Sequence, residues 1–191
     1  LSVVRPVDAE DLIDEAEYEV DERLPYWAEL WPSGRVLADH LARSDLAGAR
    51  MLELGAGIAV PSIVAARRGA VALATDWYAP ALEFAALNAR RARVAIETML
   101  VDWRDPPAAL IAHAPFDCLI GADILYEARH AEPLAMLLPQ LVAADGEVWI
   151  ADPRRPDAQA FLDTMTGTGW SLTTREVAFE GRLDETGPIV H

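Results

Sequence analysis

Met51-Leu-Glu-Leu-Gly-Ala-Gly-Ile-Ala-Val-Pro61 is the stretch on which the reading of this chain turns. It opens with the apolar residues Met51, Leu52 and Leu54, passes through a Gly-Ala-Gly turn, and continues into an apolar segment, Val60 to Ala66, that predicts a helix. Strand, glycine turn and helix in that order bring backbone close to a nucleotide-like ligand in α/β proteins. Gly55 and Gly57 permit close approaches that a Cβ would block. Glu53 stands at the carboxyl end of the strand, where open α/β sheets bind ligands. The third glycine of the dinucleotide pattern is absent, because Ala59 or Val60 falls near its place. A glycine pair after a strand is by itself only a βα turn, so the rest of the chain has to decide.

Downstream, Val71 to Thr75 predicts a short strand ending at Asp76, and Pro80 starts a helix that runs from Ala81 to about Ala92. Asp76 follows Gly55 by about the twenty residues at which Rossmann-like folds place an acid on ribose hydroxyls. Ile96 to Val101 predicts the next strand, closed by Asp102-Trp103. An acid and an indole there suit an adenine, the carboxylate accepting from the exocyclic amine and the ring packing on the base. Phe116 to Ala122, nearly all apolar, predicts a central strand that ends in Asp123-Ile-Leu-Tyr126. A helix over Ala131–Val142, a strand over Glu147–Ala151 and a helix from about Asp157 to Met165 follow. Trp170–Phe179 and Pro188–His191 read as two β segments. Strands alternating with helices predict a parallel sheet, and the two closing strands an antiparallel end.

Upstream, Pro25-Tyr-Trp-Ala-Glu-Leu-Trp-Pro-Ser-Gly34 precedes a helix with Val36, Leu37, His40 and Leu41 on one face, and Ser33 is positioned to cap it. Its aromatics either staple this segment to the core or wall a flat or cationic ligand. Asp8 to Glu22 is dense in acids and reads as a solvated arm with a short strand near Tyr18. The expected division is an acidic arm over 1–23 and a single domain over 24–191.

The chain has 191 residues, 52% hydrophobic and 25% charged, as expected of one soluble domain. Its formal charge of −15 argues against nucleic acid and is compatible with a basic substrate surface. No apolar run reaches membrane-spanning length, and the first residues do not read as a secretion signal. Cytoplasm is the expected compartment. The single Cys118 excludes an intramolecular disulfide and reads as a buried thiol, and no Cys/His cluster has metal spacing. His40, His113 and His130 read as surface or packing residues. Asp152, Arg154 and Arg155 lie at the ligand edge of the fifth strand, where pairing of the arginines with local acids is the preferred reading.

Taken together, Leu52-Glu-Leu-Gly-Ala-Gly57, Thr75-Asp76, Asp102-Trp103 and Gly121-Ala-Asp-Ile-Leu-Tyr126 resemble a class I, seven-β-strand, S-adenosylmethionine-dependent methyltransferase. Asp123-x-x-Tyr126 is similar to the motif that marks the family-16 lysine methyltransferases. Pro25-Tyr-Trp-Ala, Trp31-Pro-x-Gly34 and Asp152-Pro-x-Arg155-Pro156 resemble the branch containing the electron-transfer-flavoprotein β-subunit lysine methyltransferase. Bacterial proteins of this kind are often called nicotinamide N-methyltransferase-like. The resemblance implies a Rossmann-like three-layer sandwich whose seven-stranded sheet is mostly parallel with one antiparallel strand near the C-terminus.

It further implies S-adenosyl-L-methionine as cofactor and S-adenosyl-L-homocysteine as product. Glu53, Gly55 and Gly57 would line the methionine part, Asp76 with its neighbour Trp77 the ribose side, and Asp102 and Trp103 the adenine. Trp31 and Ala122 would close on the cofactor, while Asp123 and Tyr126 would face the target amine. Ala59 departs from the family's third glycine. The first expectation is a protein-lysine N-methyltransferase, and the second a methyltransferase acting on a small nicotinamide-like amine. A nicotinamide-dependent oxidoreductase and a non-catalytic binding module are the readings from other classes.

Overall fold

A computed structural model describes residues 1–7, 24–177 and 189–190 of the chain. The expected strand near Tyr18 and the rest of the acidic stretch lie outside them. Five parallel strands form the sheet: β1 (Arg50–Leu54), β2 (Val71–Asp76), β3 (Glu97–Leu100), β4 (Phe116–Ala122) and β5 (Val142–Asp152), in the order β3-β2-β1-β4-β5. Beyond β5, β6 (Arg175–Glu176) and β7 (Ile189–Val190) add two residues each, β7 pairing antiparallel with both neighbours. The β segments expected over Trp170–Phe179 and Pro188–His191 reduce, among the described residues, to these two pairings.

Period-two alternation makes the layers. In β1, Leu52 and Leu54 enter one hydrophobic cluster and Met51 another; in β4, Leu119 joins the first while Cys118 and Ile120 join the second. Strands apolar on both faces are buried between helices. The first cluster takes Leu134, Leu137, Leu138 and Leu141 of α5 (Ala131–Leu141) and Phe161, Leu162 and Met165 of α6 (Pro156–Gly167). The second takes Leu37 and Leu41 of α1 (Pro32–Leu41) and Ala65 of α2 (Val60–Arg67). Alongside α2 lies α3 (Ala79–Ala92), whose Ala89 and Ala92 pack with Ile63.

Several boundaries differ from those expected. The helix α1 starts at Pro32, with Trp31 as its N-cap, so Ser33 lies inside the first turn and caps nothing. Proline's fixed φ nucleates the helix before Ser33 is reached. Strand β5 begins at Val142 rather than Glu147, because Ala143 to Gly146 reads as a turn yet bulges against β4 between Phe116 and Cys118. A Cβ on Gly146 would stand 2.9 Å from the Asp117 carbonyl oxygen, so glycine admits that close approach. The short helix α4 (Ala108–His113) has too few residues to show a period in sequence.

At the N-terminus, the Val4 N–H donates to Asn88 Oδ1 at 2.6 Å and Asn88 Nδ2 returns a bond to the Val4 carbonyl at 2.9 Å, tying the first residues to α3. No helix among the described residues is long and apolar enough to cross a membrane. Cys118 is buried, and burial pushes its thiol pKa up, which fits an inert core residue.

Candidate functional site

Strand order reverses between β1 and β4, and in open α/β sheets the crevice at the carboxyl ends beside such a reversal is where ligands bind. A cavity of about 420 Å³ opens there, a size suited to a small-molecule ligand. Every residue expected to touch the cofactor or the target amine lines it, from Trp31 and Glu53 to Asp123 and Tyr126.

The turn after β1 makes one wall. Gly55 and Gly57 adopt φ of 61° and 51°. A Cβ on Gly57 would come within 2.9 Å of the Trp27 carbonyl oxygen, and one on Gly55 within 3.0 Å of Ile124 Cγ2 and 3.5 Å of the Trp103 ring. Ala59, where the third glycine is missing, also turns left-handed at φ 58°. That conformation costs an L-residue roughly 1–2 kcal/mol. Its buried methyl packs with Ala56, Ala74 and Ala85 rather than lining the cavity. The substitution therefore leaves the cavity wall as glycine would.

Behind this turn, α2 has no side-chain cap of its own, and Glu53 supplies one from β1, its Oε2 accepting the Ser62 N–H at 2.9 Å. Burial pushes the Glu53 carboxyl up to about 8 against hydrogen bonds from Ser62, with the nearby Asp76 charge adding to the rise. Asp76 joins β2 to the same turn. Its Oδ2 accepts the Gly57 N–H at 2.8 Å and its Oδ1 the Tyr78 N–H at 2.9 Å. Burial raises this carboxyl too, opposed by backbone N–H groups. Each oxygen retains acceptor capacity for a ligand hydroxyl.

At the end of β3, Asp102 is gripped by Arg104, with Nε at 3.0 Å from Oδ1 and Nη2 at 2.9 Å from Oδ2. The Arg104 guanidinium lies 4.2 Å from the Trp77 ring centroid. Aromatic rings border the cavity. Tyr26 meets Trp31 edge-on at 6.0 Å and Tyr126 at 5.5 Å, Tyr126 meets His130 at 4.9 Å, and His130 meets Trp103 at 5.3 Å between centroids. The aromatic segment serves both readings. Trp27, buried, packs on Phe84 as a staple and also reaches the cavity, while Tyr26 and Trp31, partly exposed, wall it.

His130 packs between the Tyr126 and Trp103 rings, as a packing residue would, but does so inside the cavity. It is a cavity residue whose Nε2 stands 4.0 Å from Glu127, and burial lowers its pKa, the largest of several influences. His113 also has an acid, Glu97, at 3.5 Å. Arg104 and His130 escaped the sequence because neither belongs to a motif; only their nearness to Asp102 and Tyr126 along the chain pointed to them.

At the end of β4, Ala122 and the following Asp123 and Tyr126 line the cavity. Asp123 is buried, with φ 57°, and burial raises its pKa against the opposing charge and hydrogen bond of Arg155. The preferred pairing of the arginines with acids is what the structure has: Arg155 with Asp123 and Asp152, and Arg154 with Glu176. No cluster of three or more metal-ligating side chains occurs among the described residues.

A parallel α/β sheet that ends in a glycine turn and then an acid after each of its next strands defines the class I S-adenosylmethionine-dependent methyltransferases. The chain belongs to the lysine methyltransferase family, whose model matches residues 20–168. It is 32% identical over 136 residues to the protein N-lysine methyltransferase METTL21A of Danio rerio, covering 68% of this chain and 62% of that protein. It is 30% identical over 118 residues to the histone-arginine methyltransferase METTL23 of Xenopus laevis, covering 58% of this chain and 50% of that protein. The chain thus spans about half to three-fifths of the length of these relatives.

Among solved structures, it shares its fold with a TehB-like SAM-dependent methyltransferase of Corynebacterium glutamicum, with TM-score 0.63, 16% identity and 95% of each chain covered. Fibrillarin of Aeropyrum pernix, solved with bound S-adenosyl-L-methionine, matches with TM-score 0.63 and 14% identity over 82% of this chain and 73% of that one. Family membership leaves the oxidoreductase reading without support.

Proposed function

We propose that this chain is a protein-lysine N-methyltransferase that uses S-adenosyl-L-methionine and releases S-adenosyl-L-homocysteine. The observation that carries the reading is the pair Asp123 and Tyr126, at the end of β4, in the same cavity as Gly55, Gly57, Asp76 and Asp102. The cavity also fits the cofactor in size, about 420 Å³, and in its lining of strand-end acids and aromatic rings. METTL21A, a relative named for lysine methylation, supports the acceptor class.

Bound S-adenosylmethionine supplies a sulfonium-activated methyl group. Glu53, Gly55 and Gly57 would border its methionine part, Asp76 with its neighbour Trp77 the ribose side, and Asp102 and Trp103 the adenine. Trp31 and Ala122 close the site. A lysine amine, with pKa near 10.4, must lose a proton before it can attack. Asp123 orients that amine through a hydrogen bond, and the proton passes to water. Tyr126, whose phenol burial pushes upward in pKa, stays protonated and walls the approach. Positioning and exclusion of water supply the catalysis.

Two neighbouring acceptors are weighed. An arginine is favoured by the likeness to METTL23, and a flat small amine by the half-exposed rings of Tyr26, Trp31 and Tyr126. The charge of −15 favours a basic protein surface over nucleic acid. We also take residues 24–191 as the methyltransferase domain and 1–23 as an acidic arm. The pairings at 175–176 and 189–190 are read as parts of the sixth and seventh strands of a seven-stranded sheet, the last antiparallel, and the cytoplasm as the working compartment.

The test is calorimetric titration with S-adenosylhomocysteine and with NADH, beside protein labelling from radiolabelled cofactor in a cell extract. Wild type is expected to bind S-adenosylhomocysteine and label protein. Asp123→Ala is expected to bind equally and label nothing. Tight NADH binding without S-adenosylhomocysteine binding would overturn the reading.

A further inference from the structure

Three charged side chains from three elements meet beside the cavity. Asp123 follows β4, Asp152 closes β5, and Arg155 stands at the N-cap of α6. Nη1 of Arg155 donates to Asp123 Oδ1 and, at 3.3 Å, to Asp152 Oδ2. Asp152 is fully buried, and its Oδ1 accepts the Arg155 backbone N–H at 2.7 Å. The arginine is therefore fixed at its backbone and at its guanidinium by the same acid.

Asp123 is unusual in two further ways. Its left-handed backbone, held by an N–H bond to the Ala151 carbonyl at 2.9 Å, is strained for a residue with a Cβ. Its Oδ2 is buried without a hydrogen-bond partner among the described residues. The Ser33 hydroxyl stands beside the carboxylate as its one other neighbouring donor among the described residues, and a hydrogen bond from it favours the charged form. A buried carboxylate oxygen with only that hydroxyl beside it keeps acceptor capacity for a ligand N–H. Two carboxylates and one guanidinium sum to a single negative charge, the complement of one ammonium.

We propose that Arg155 is a positioning residue for methyl transfer: by engaging Oδ1 of Asp123 it fixes the carboxylate and leaves Oδ2 as the acceptor that one N–H of the substrate amine meets. The inference rests on the methyltransferase function proposed above. It also assigns Asp123 its role. A carboxylate already paired with a guanidinium is a weak base, so Asp123 holds the amine while the proton leaves for water. The charged groups acting on Asp123 are Arg155 from the start of α6 and Asp152 from the end of β5, with neutral Ser33 from α1. Without Arg155, burial and Asp152 favour a protonated, uncharged Asp123, opposed only by the hydrogen bond from Ser33.

Sinefungin, an S-adenosylhomocysteine analogue in which a carbon bearing an amine replaces the sulfur, sets that amine on the acceptor side of the cofactor and probes this arrangement without turnover. Calorimetry gives the ratio of its affinity to that of S-adenosylhomocysteine. Asp123→Asn and Arg155→Gln are each expected to lower the ratio about tenfold while S-adenosylhomocysteine binds within about twofold of wild type. Arg155→Lys keeps the charge but not the planar fork, so a loss of about threefold is expected. In Arg155→Gln the ratio should recover as the pH is raised and Asp123 ionises.

A wild-type ratio in Arg155→Gln beside a lowered one in Asp123→Asn would overturn the proposal, as would equal weakening of both ligands. Should Arg155→Gln not fold, an unchanged ratio in Arg155→Lys overturns it instead. Failure of wild type to bind S-adenosylhomocysteine would overturn the proposed function and this inference together.

Discussion

Asp76 Oδ2 accepts the Gly57 backbone N–H at 2.8 Å, so the acid that ends β2 holds the glycine turn that ends β1. One side chain thus serves the fold and the site at once. Asp76→Ala would leave the N–H groups of Gly57 and Tyr78 without their acceptor in a buried place. A loss of about 2–4 kcal/mol is expected in urea unfolding, together with loss of S-adenosylhomocysteine binding by calorimetry.

The two glycines of the turn should differ in tolerance. A Cβ on Gly57 meets backbone, the Trp27 carbonyl oxygen at 2.9 Å, whereas one on Gly55 meets the movable Ile124 side chain at 3.0 Å. Both also force an L-residue to positive φ. Gly57→Ala is expected to destabilise by about 3 kcal/mol or more, and Gly55→Ala by about 1–2 kcal/mol. Thermal unfolding of the two variants gives the comparison.

Ala59→Gly has opposing terms. It relieves a left-handed strain of about 1 kcal/mol or more, but removes a buried methyl worth about 0.8 kcal/mol and raises the entropy of the unfolded chain. A net change within about 1 kcal/mol follows. Calorimetry should find S-adenosylhomocysteine affinity unchanged, since Ala59 faces an alanine cluster and not the cavity.

Glu53 gives a pH dependence with a definite sign. Its carboxyl lies near 4.5 ordinarily and about 8 in the fold. Because the folded form keeps the proton longer, this contribution is fully present below pH 4.5, falls as pH rises, and is gone above about pH 8. Glu53→Gln removes the titration. Urea unfolding across that window should show wild type losing stability relative to Glu53→Gln, by on the order of a few kcal/mol.

Much of this was legible in the chain. Short apolar runs gave β1, β2 and β4, and strand-end acids gave Asp76, Asp102 and Asp123, because parallel strands must bring their carboxyl ends to one edge. What escaped notice depended on distance in space. Nothing in the sequence says that Arg104 grips Asp102, that Arg155 reaches across from α6 to Asp123, or that His130 lies against Trp103. Ser33 misled for a local reason, as Pro32 already starts the helix. Ala59 looked like a defect only because the sequence does not show which way its methyl points.

The claim that matters most is the chemical identity of the acceptor. Protein from an extract incubated with this enzyme and methyl-labelled S-adenosylmethionine should be hydrolysed to amino acids and separated. Label in methyllysine, absent when Asp123→Ala replaces wild type, is the predicted result. Label in methylarginine alone, or only in small metabolites, would contradict it.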